Sequence, residues 1–285
     1  MDQEMHEPED SRFIPMTSVD SGYGREAAPD VYYYTDQIAN VLFVGDPEQG
    51  EWVMIDAGLP GSADEIRAAA ADRFGEDSRP SAIILTHGHF DHIGGLVDLV
   101  NTWQVPVYAH ELEMPYLTGQ KRYPKPDMSV EGGVLAKISG IYPNEPVDLA
   151  DAVQPLPEDH TVPEMAGWEW FHTPGHSPGH VSLYRDDDSL LISGDAFITV
   201  RQDSFYNVLM QNTEVNGPPR YLTTDWEAAR QSVEKLETLQ PDCVVPGHGR
   251  AMEGADLAEG LHELVRTFDQ TAVPDYGRFV DDAEQ

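Results

Sequence analysis

Residues 86–95 read Thr-His-Gly-His-Phe-Asp-His-Ile-Gly-Gly and place four metal-binding side chains, His87, His89, Asp91 and His92, within six positions. The run before them, Ser81-Ala82-Ile83-Ile84-Leu85, is apolar and branched, which predicts a buried strand. The run after them, Ile93 to Trp103, has the apolar spacing of a helix. A strand-to-helix turn therefore carries all four. His87 and His89 stand two apart, so in extended chain they point to one side and can share an ion. Asp91 and His92 lie past the turn and can reach a second ion beside the first. Imidazole and carboxylate suit zinc, and the same donors also accept iron or manganese.

Further donors follow in order. His172-Thr-Pro-Gly-His176-Ser-Pro-Gly-His180 comes after the apolar strand Trp168–Phe171, and its two Pro-Gly pairs predict tight turns that present His176. Leu190-Leu191-Ile192-Ser193-Gly194-Asp195 is a buried strand ending in a carboxylate. Cys243-Val244-Val245-Pro246-Gly247-His248 is a short strand ending in a histidine. Three strand ends thus supply one ligand each. A polar loop that merely contains histidines does not account for this succession.

On these motifs the chain is identified as a member of the metallo-β-lactamase-fold hydrolase superfamily, over about Tyr34 to Phe268. The resemblance implies an α/β (α+β) fold with four-layer αββα sandwich architecture. It implies two metal ions, with His87, His89 and His176 on one, Asp91, His92 and His248 on the other, and Asp195 bridging both. It implies a metal-bridging hydroxide as nucleophile, with Asp91 as the catalytic residue that orients it or carries a proton to the leaving group. Asp56, at the end of Trp52–Ile55, would hydrogen-bond a ligand histidine, as outer carboxylates at metal sites do. The carboxylate at Asp195 is similar to glyoxalase II and the lactonases, whereas the true β-lactamases of the superfamily carry Cys or Ser there. Two departures blur the substrate. Many lactonases place a Tyr where Ile198 stands, and the basic C-terminal extension of glyoxalase II is reduced here to Arg250, Arg266 and Arg278. The expected activity is hydrolysis of a small ester, thioester or lactone by two zinc ions. The alternatives are a mononuclear iron sulfur oxygenase resembling the persulfide dioxygenases, and β-lactam hydrolysis as a side activity.

The rest of the chain agrees with one domain over residues 31–285, since donors from 87 to 248 must share a site. Strands are expected at Val31–Tyr34, Ile38–Val44, Trp52–Ile55, Ala82–Leu85, Val105–Ala109, Trp168–Phe171, Val181–Tyr184, Leu190–Ile192 and Cys243–Val245. Helices are expected at Ala63–Phe74, Ile93–Trp103, Asp225–Leu239 and Asp256–Phe268. Residues 1–30 show no period and are expected to be partly disordered, the first ten above all. An irregular insert at about 117–165, with Tyr116, Tyr123, Met128, Ile138, Ile141 and Tyr142, is a candidate cover for the site or a small satellite core. Phe197–Met210, with Phe205 and Tyr206, is a second candidate pocket wall. His172 and His180 are read as supporting residues, His110 and His262 as helix residues, and His6 as part of a polar tail.

Charge narrows the partners. The chain has 51 Asp and Glu against 17 Lys and Arg, a formal net of −34. Such a surface repels phosphates, which excludes nucleic acid and anionic membranes as partners and leaves a small-molecule substrate. The acidic start holds no signal-like apolar segment, and the single cysteine, Cys243, can form no internal disulfide; both point to the cytoplasm. The acidity fits adaptation to high salt. The Debye length falls from about 30 Å at 0.01 M salt to about 3 Å at 1 M, so self-repulsion is screened. We therefore expect the melting temperature to rise from 0.01 M to 1 M KCl at saturating zinc, read by thermal unfolding. A flat or falling profile would leave the acidity unexplained by salt.

Overall fold

Branched and aromatic runs set the strands of this chain, and strand direction sets where its polar side chains end up. The computed structural model describes residues 5–10, 17–130, 139, 142–143, 146–201 and 209–280. Its contacts divide the chain into two units: Met1–Tyr123 with Pro143–Trp168, and Pro124–Tyr142 with Glu169–Gln285.

The first unit holds a seven-stranded sheet in the order β1 to β7. Its strands are β1 (Gly24–Ala28), β2 (Val31–Asp36), β3 (Ala39–Val44), β4 (Val53–Ile55), β5 (Ala82–Ile84), β6 (Val107–Ala109) and β7 (Val153–Pro155). The first four pair antiparallel in sequence, and β4 to β7 run parallel. Helices α1 (Ala63–Phe74) and α3 (Leu96–Trp103) supply Ile66, Ala70, Leu96, Leu99 and Trp103 to one core with Val41, Phe43, Met54, Ile83 and Leu85 of the sheet region. Trp52 anchors that core: its ring stacks on Phe74 at 4.7 Å and meets Phe43 edge-on at 5.2 Å. Leu42, Ile55 and Ile84, which alternate with these, are buried as well, so the sheet is apolar on both faces.

The second unit holds a five-stranded sheet in the order β14-β13-β10-β9-β8 and a separate pair, β11 with β12. The strands are β8 (Trp168–His172), β9 (Val181–Arg185), β10 (Leu190–Gly194), β11 (Ile198–Val200), β12 (Thr213–Asn216), β13 (Cys243–Pro246) and β14 (Met252–Glu253). Strand β10 is antiparallel to β9 and parallel to β13. Helix α5 (Trp226–Thr238) starts where the Asp225 carboxylate accepts the Ala228 N–H at 2.9 Å. Helix α6 (Gly254–Thr271) buries Leu257, Leu261, Leu264 and Phe268 along one stripe. These join Trp226, Ala229, Val233 and Leu236 of α5 and Leu191 and Val244 of the sheet in a single core.

Most expected elements lie within two residues of the observed ones, and the differences have local causes. The expected helix Ile93–Trp103 is two pieces, α2 (Phe90–Ile93) and α3. The break is Gly94-Gly95, whose N–H groups bond Gly58 O at 2.7 Å and Ala57 O at 3.0 Å instead of continuing a helical ladder. Helix α6 extends past its expected ends to Gly254 and Thr271. Strands β1, β7, β11, β12 and β14 were not expected. They are short or edge elements with little apolar alternation. Strand β1 falls in the tail expected to be partly disordered, and the His6 backbone, within its first ten residues, pairs with Asp148. Strand β7 and the short helix α4 (Met114–Leu117) lie within or beside the insert expected to be irregular. Ile138, Ile141, Phe205 and Tyr206, and residues 1–4 and 11–16 of the tail, lie outside the described residues. Among the described residues no helix is long and apolar enough to cross a membrane.

The Gly94 site is testable. A Cβ there would stand 2.1 Å from the Leu59 carbonyl carbon and the Pro60 nitrogen, which are backbone atoms that cannot swing away. We expect Gly94→Ala to cost about 3 kcal/mol or more, the upper range for overpacking. Gly61→Ala, in open space at φ 87°, should cost only about 1–2 kcal/mol for the left-handed backbone. Chemical denaturation of both variants checks the order.

Candidate metal centre

In the first unit, parallel pairing of β4 with β5 brings Asp56 and Thr86 off the same sheet edge. Asp56 N–H bonds Ile84 O at 2.9 Å, and the Asp56 carboxylate then faces the turn that carries the histidines. It accepts the Thr86 N–H at 2.8 Å, the Thr86 hydroxyl at 2.7 Å and His92 Nδ1 at 2.8 Å. These three bonds hold Asp56 at φ 60°, a conformation costly for a non-glycine residue. Because the Thr86 hydroxyl gives its proton to Asp56, its oxygen accepts from His87 Nδ1, 3.0 Å away. Both His87 and His92 are thereby fixed with the proton on Nδ1 and the Nε2 lone pair turned outward. Ligand atoms of His87 lie within 4.8 Å of those on His89 and His92, and Asp91 lies within 4.8 Å of His92. All four side chains are buried.

In the second unit the same geometry recurs. Strands β10 and β13 are parallel and in register at Gly194 and Pro246, and Gly247 N–H bonds Gly194 O at 2.9 Å. Asp195 and His248, the next residues along each chain, therefore emerge side by side. The turn with His176 precedes β9, which runs antiparallel to β10 and so starts at that edge. One oxygen, Asp195 Oδ2, stands 3.3 Å from His176 Nε2 and 3.3 Å from His248 Nε2. Two donors held about 2.1 Å from one tetrahedral zinc stand roughly 3.3–3.4 Å apart, so both pairs have the spacing of ligands sharing an ion. All three residues are buried, and nitrogen and carboxylate oxygen are the donors that zinc, iron and manganese take. The residues present fit a metal.

The outer hydrogen bonds of this half also have a fixed polarity. The Thr223 hydroxyl donates to Pro219 O at 2.8 Å, so it accepts from His176 Nδ1 at 3.1 Å and leaves Nε2 as the donor atom. His180 takes the Asp195 N–H on Nε2 at 2.8 Å. Its Nδ1 proton goes to the Thr173 hydroxyl, that proton to Ser182, and the Ser182 proton to Ser193 O, at 2.9, 3.0 and 2.9 Å. His180 thus holds the backbone of Asp195 from a chain of oriented hydroxyls. These threonines and serines carry no sequence signal of their own; only their position beside ligands could have raised them.

The other expected residues separate cleanly. Asp56 bonds His92 of the motif, and His172 bonds Pro178 O at 2.9 Å. His262 is on α6 and pairs with Glu237 at 2.8 Å on the surface. His110 is not helical: it follows β6 and accepts the Leu112 N–H. Burial pushes the Cys243 thiol up to about 11, so it stays protonated. Glu113 was missed. Its carboxylate is fully buried and accepts Gly88 N–H at 3.0 Å, between the first two histidines of the motif.

Residues 34–248 match the family model of the metallo-beta-lactamase superfamily, a span that contains every donor described above. The chain is 48% identical over 253 residues to the probable metallo-hydrolase YflN of Bacillus subtilis (strain 168), covering 88% of this chain and 96% of that one. Among solved structures it resembles TTHA1623 in a di-iron-bound form, at 29% identity and TM-score 0.52 over 80% of this chain and 93% of that one. It also resembles BLEG-1 B3 metallo-beta-lactamase, at 29% identity and TM-score 0.52 over 75% and 88%. The chain belongs to the metallo-beta-lactamase superfamily and has its α/β fold. Within that family it is a metal-dependent hydrolase.

Asp56 offers a direct test of the outer bonds. Asp56→Ala removes the acceptor for three donors, one of them His92. We expect metal affinity to fall about 10–100-fold, as for other outer carboxylates. Competition with a chelator measures it; an unchanged affinity would reduce Asp56 to a turn residue.

Proposed function

We propose that the chain is a dinuclear zinc hydrolase of a small ester, thioester or lactone. His87, His89 and His176 would hold one ion, Asp91, His92 and His248 the other, and Asp195 both. The observation that carries this reading is the single Asp195 oxygen 3.3 Å from both His176 Nε2 and His248 Nε2, one imidazole from each of the two proposed donor sets. When bound, the ions would supply an acidified water as nucleophile and positive charge for the developing oxyanion. The chain's own residues do the rest. Asp56, Thr86 and Thr223 keep three imidazoles in the metal-binding tautomer. Asp91, whose carboxylate sits in the first turn of α2, takes the proton of the attacking water and passes it to the leaving oxygen or sulfur. The acyl carbon gains the water oxygen as its bond to the leaving group breaks.

No serine or cysteine nucleophile is needed, and Cys243 as a protonated thiol is a poor one. The formal charge of −34 supports a small-molecule substrate over nucleic acid or membrane, and the single cysteine supports the cytoplasm. Iron is the second reading for the metals, because the donor set accepts it and TTHA1623 was solved in a di-iron-bound form.

Metal analysis and one substrate panel test this. We expect about two metal ions per chain and turnover of some lactone, thioester or aryl ester, with nitrocefin at most a weak substrate. Asp195→Ala should lose at least one ion and 100-fold or more in activity, an amount consistent with loss of a metal site. Ser177→Ala and Cys243→Ser should stay within a few-fold of the parent. Full metal content and activity in Asp195→Ala would overturn the bridge. One iron per chain with sulfur oxygenation would replace hydrolysis.

A further inference from the structure

Glu113 is a buried carboxylate with no part in the donor set above. Burying a carboxylate costs several kcal/mol unless hydrogen bonds and nearby positive charge offset it. Its Oε2 accepts the Gly88 N–H at 3.0 Å and the Tyr123 hydroxyl. The same Gly88 N–H also lies 3.1 Å from the Tyr123 oxygen, so the three groups form a closed triangle at the residue between His87 and His89. The Tyr123 ring continues the contact: its centroid is 4.5 Å from that of His89, and it also stacks on Tyr116 at 4.0 Å and 7°. Gly88 is confined as well, since a Cβ there would come within 2.7 Å of the Tyr123 oxygen and 3.2 Å of Leu117. The Tyr123 proton is committed to Glu113, so this phenol is arranged to support the turn and not to donate to a substrate.

We propose that Glu113 and Tyr123 are positioning residues for the metal held by His87 and His89. The Glu113 carboxylate pins the Gly88 peptide, which fixes the spacing of the two flanking imidazoles. The Tyr123 ring sets the orientation of the His89 ring. Glu113 also brings a negative charge close to the ligand-bearing turn, where a bound dication repays its burial. This inference rests on the metal-site reading above.

The test uses the full chain loaded with zinc or, separately, cobalt(II), in Glu113→Gln and Tyr123→Phe. Zinc release to a chromophoric chelator, the cobalt visible spectrum and the melting temperature of the metal-free chain are read together. We expect one of two zinc ions to leave about 10–100-fold faster in both variants, the usual cost of an outer-ligand change. The cobalt bands of that ion should shift, and a merely structural role would lower the metal-free melting temperature alone. Parent-like release and spectra in both variants, with two ions bound in the parent, overturn the clamp and leave the metal-site reading standing. A parent chain that binds no metal overturns both. If Glu113→Gln fails to fold by circular dichroism, Tyr123→Phe decides alone, because it keeps the ring and the carboxylate and deletes only the hydroxyl.

Discussion

Strand direction is the constraint on which the polar chemistry depends. In a parallel pair both strands end at the same edge, so residues just past them become neighbours without any loop having to search for the contact. The β4–β5 pair sets Asp56 beside Thr86, and the β10–β13 pair sets Asp195 beside His248. Each pair is closed by one backbone bond beyond the ladder, Asp56 N–H to Ile84 O and Gly247 N–H to Gly194 O. The apolar strands thus do two jobs. They bury the core, and they fix the origin of each polar side chain to within a residue. A shift of register by one position would turn those side chains to the opposite face and dismantle both arrangements.

Hydroxyl groups then convert placement into protonation state. An imidazole can offer either nitrogen, and nothing in its burial alone selects one. Thr86 and Thr223 each spend their single proton on an acceptor that cannot reciprocate, a carboxylate and a carbonyl. Each must therefore receive a proton from the histidine beside it. The Thr173–Ser182–Ser193 series applies the same logic one step further out, to His180. Replacing one of these threonines by valine would preserve its shape and remove the selection, which makes the hydroxyl, and not the packing, the functional atom.

The strand-end setting of the candidate donors was legible because His and Asp recur at tight spacing and apolar runs mark the strands beside them. Asp56 was legible for the same reason, at the end of Trp52–Ile55. Glu113 was not, because 25 residues separate it from Gly88 and its partner there is a backbone N–H, which leaves no side-chain pattern to read. The break between α2 and α3 was visible as Gly94-Gly95 but outweighed by the apolar period around it. Its cause, the capture of the Gly94 and Gly95 N–H groups by Gly58 O and Ala57 O, is a tertiary fact. Strands β11, β12 and β14 depend on neighbours for pairing and carry no period of their own. Residue types at short range were thus readable, and backbone partners at long range were not.

The balance of charge in the donor set bears on the chemistry. Five histidines and two aspartates would face two dications, and neutral imidazoles cancel none of their charge. On the proposed reading the two aspartates would leave part of that charge uncancelled, in a chain whose formal charge is −34. The exterior attracts cations and discourages anions, so substrate affinity cannot come from long-range attraction of an acid; a neutral ester, thioester or lactone pays no such penalty on approach. Charge left uncancelled would serve where acyl transfer needs it, at the oxygen that gains charge as the carbonyl is attacked. A buried Glu113 beside the His87-Gly88-His89 turn moderates that charge without occupying a ligand position. Removing its charge while keeping its shape would strengthen the field on the substrate and loosen the turn at once, so the two effects would oppose each other in turnover and separate only in metal release.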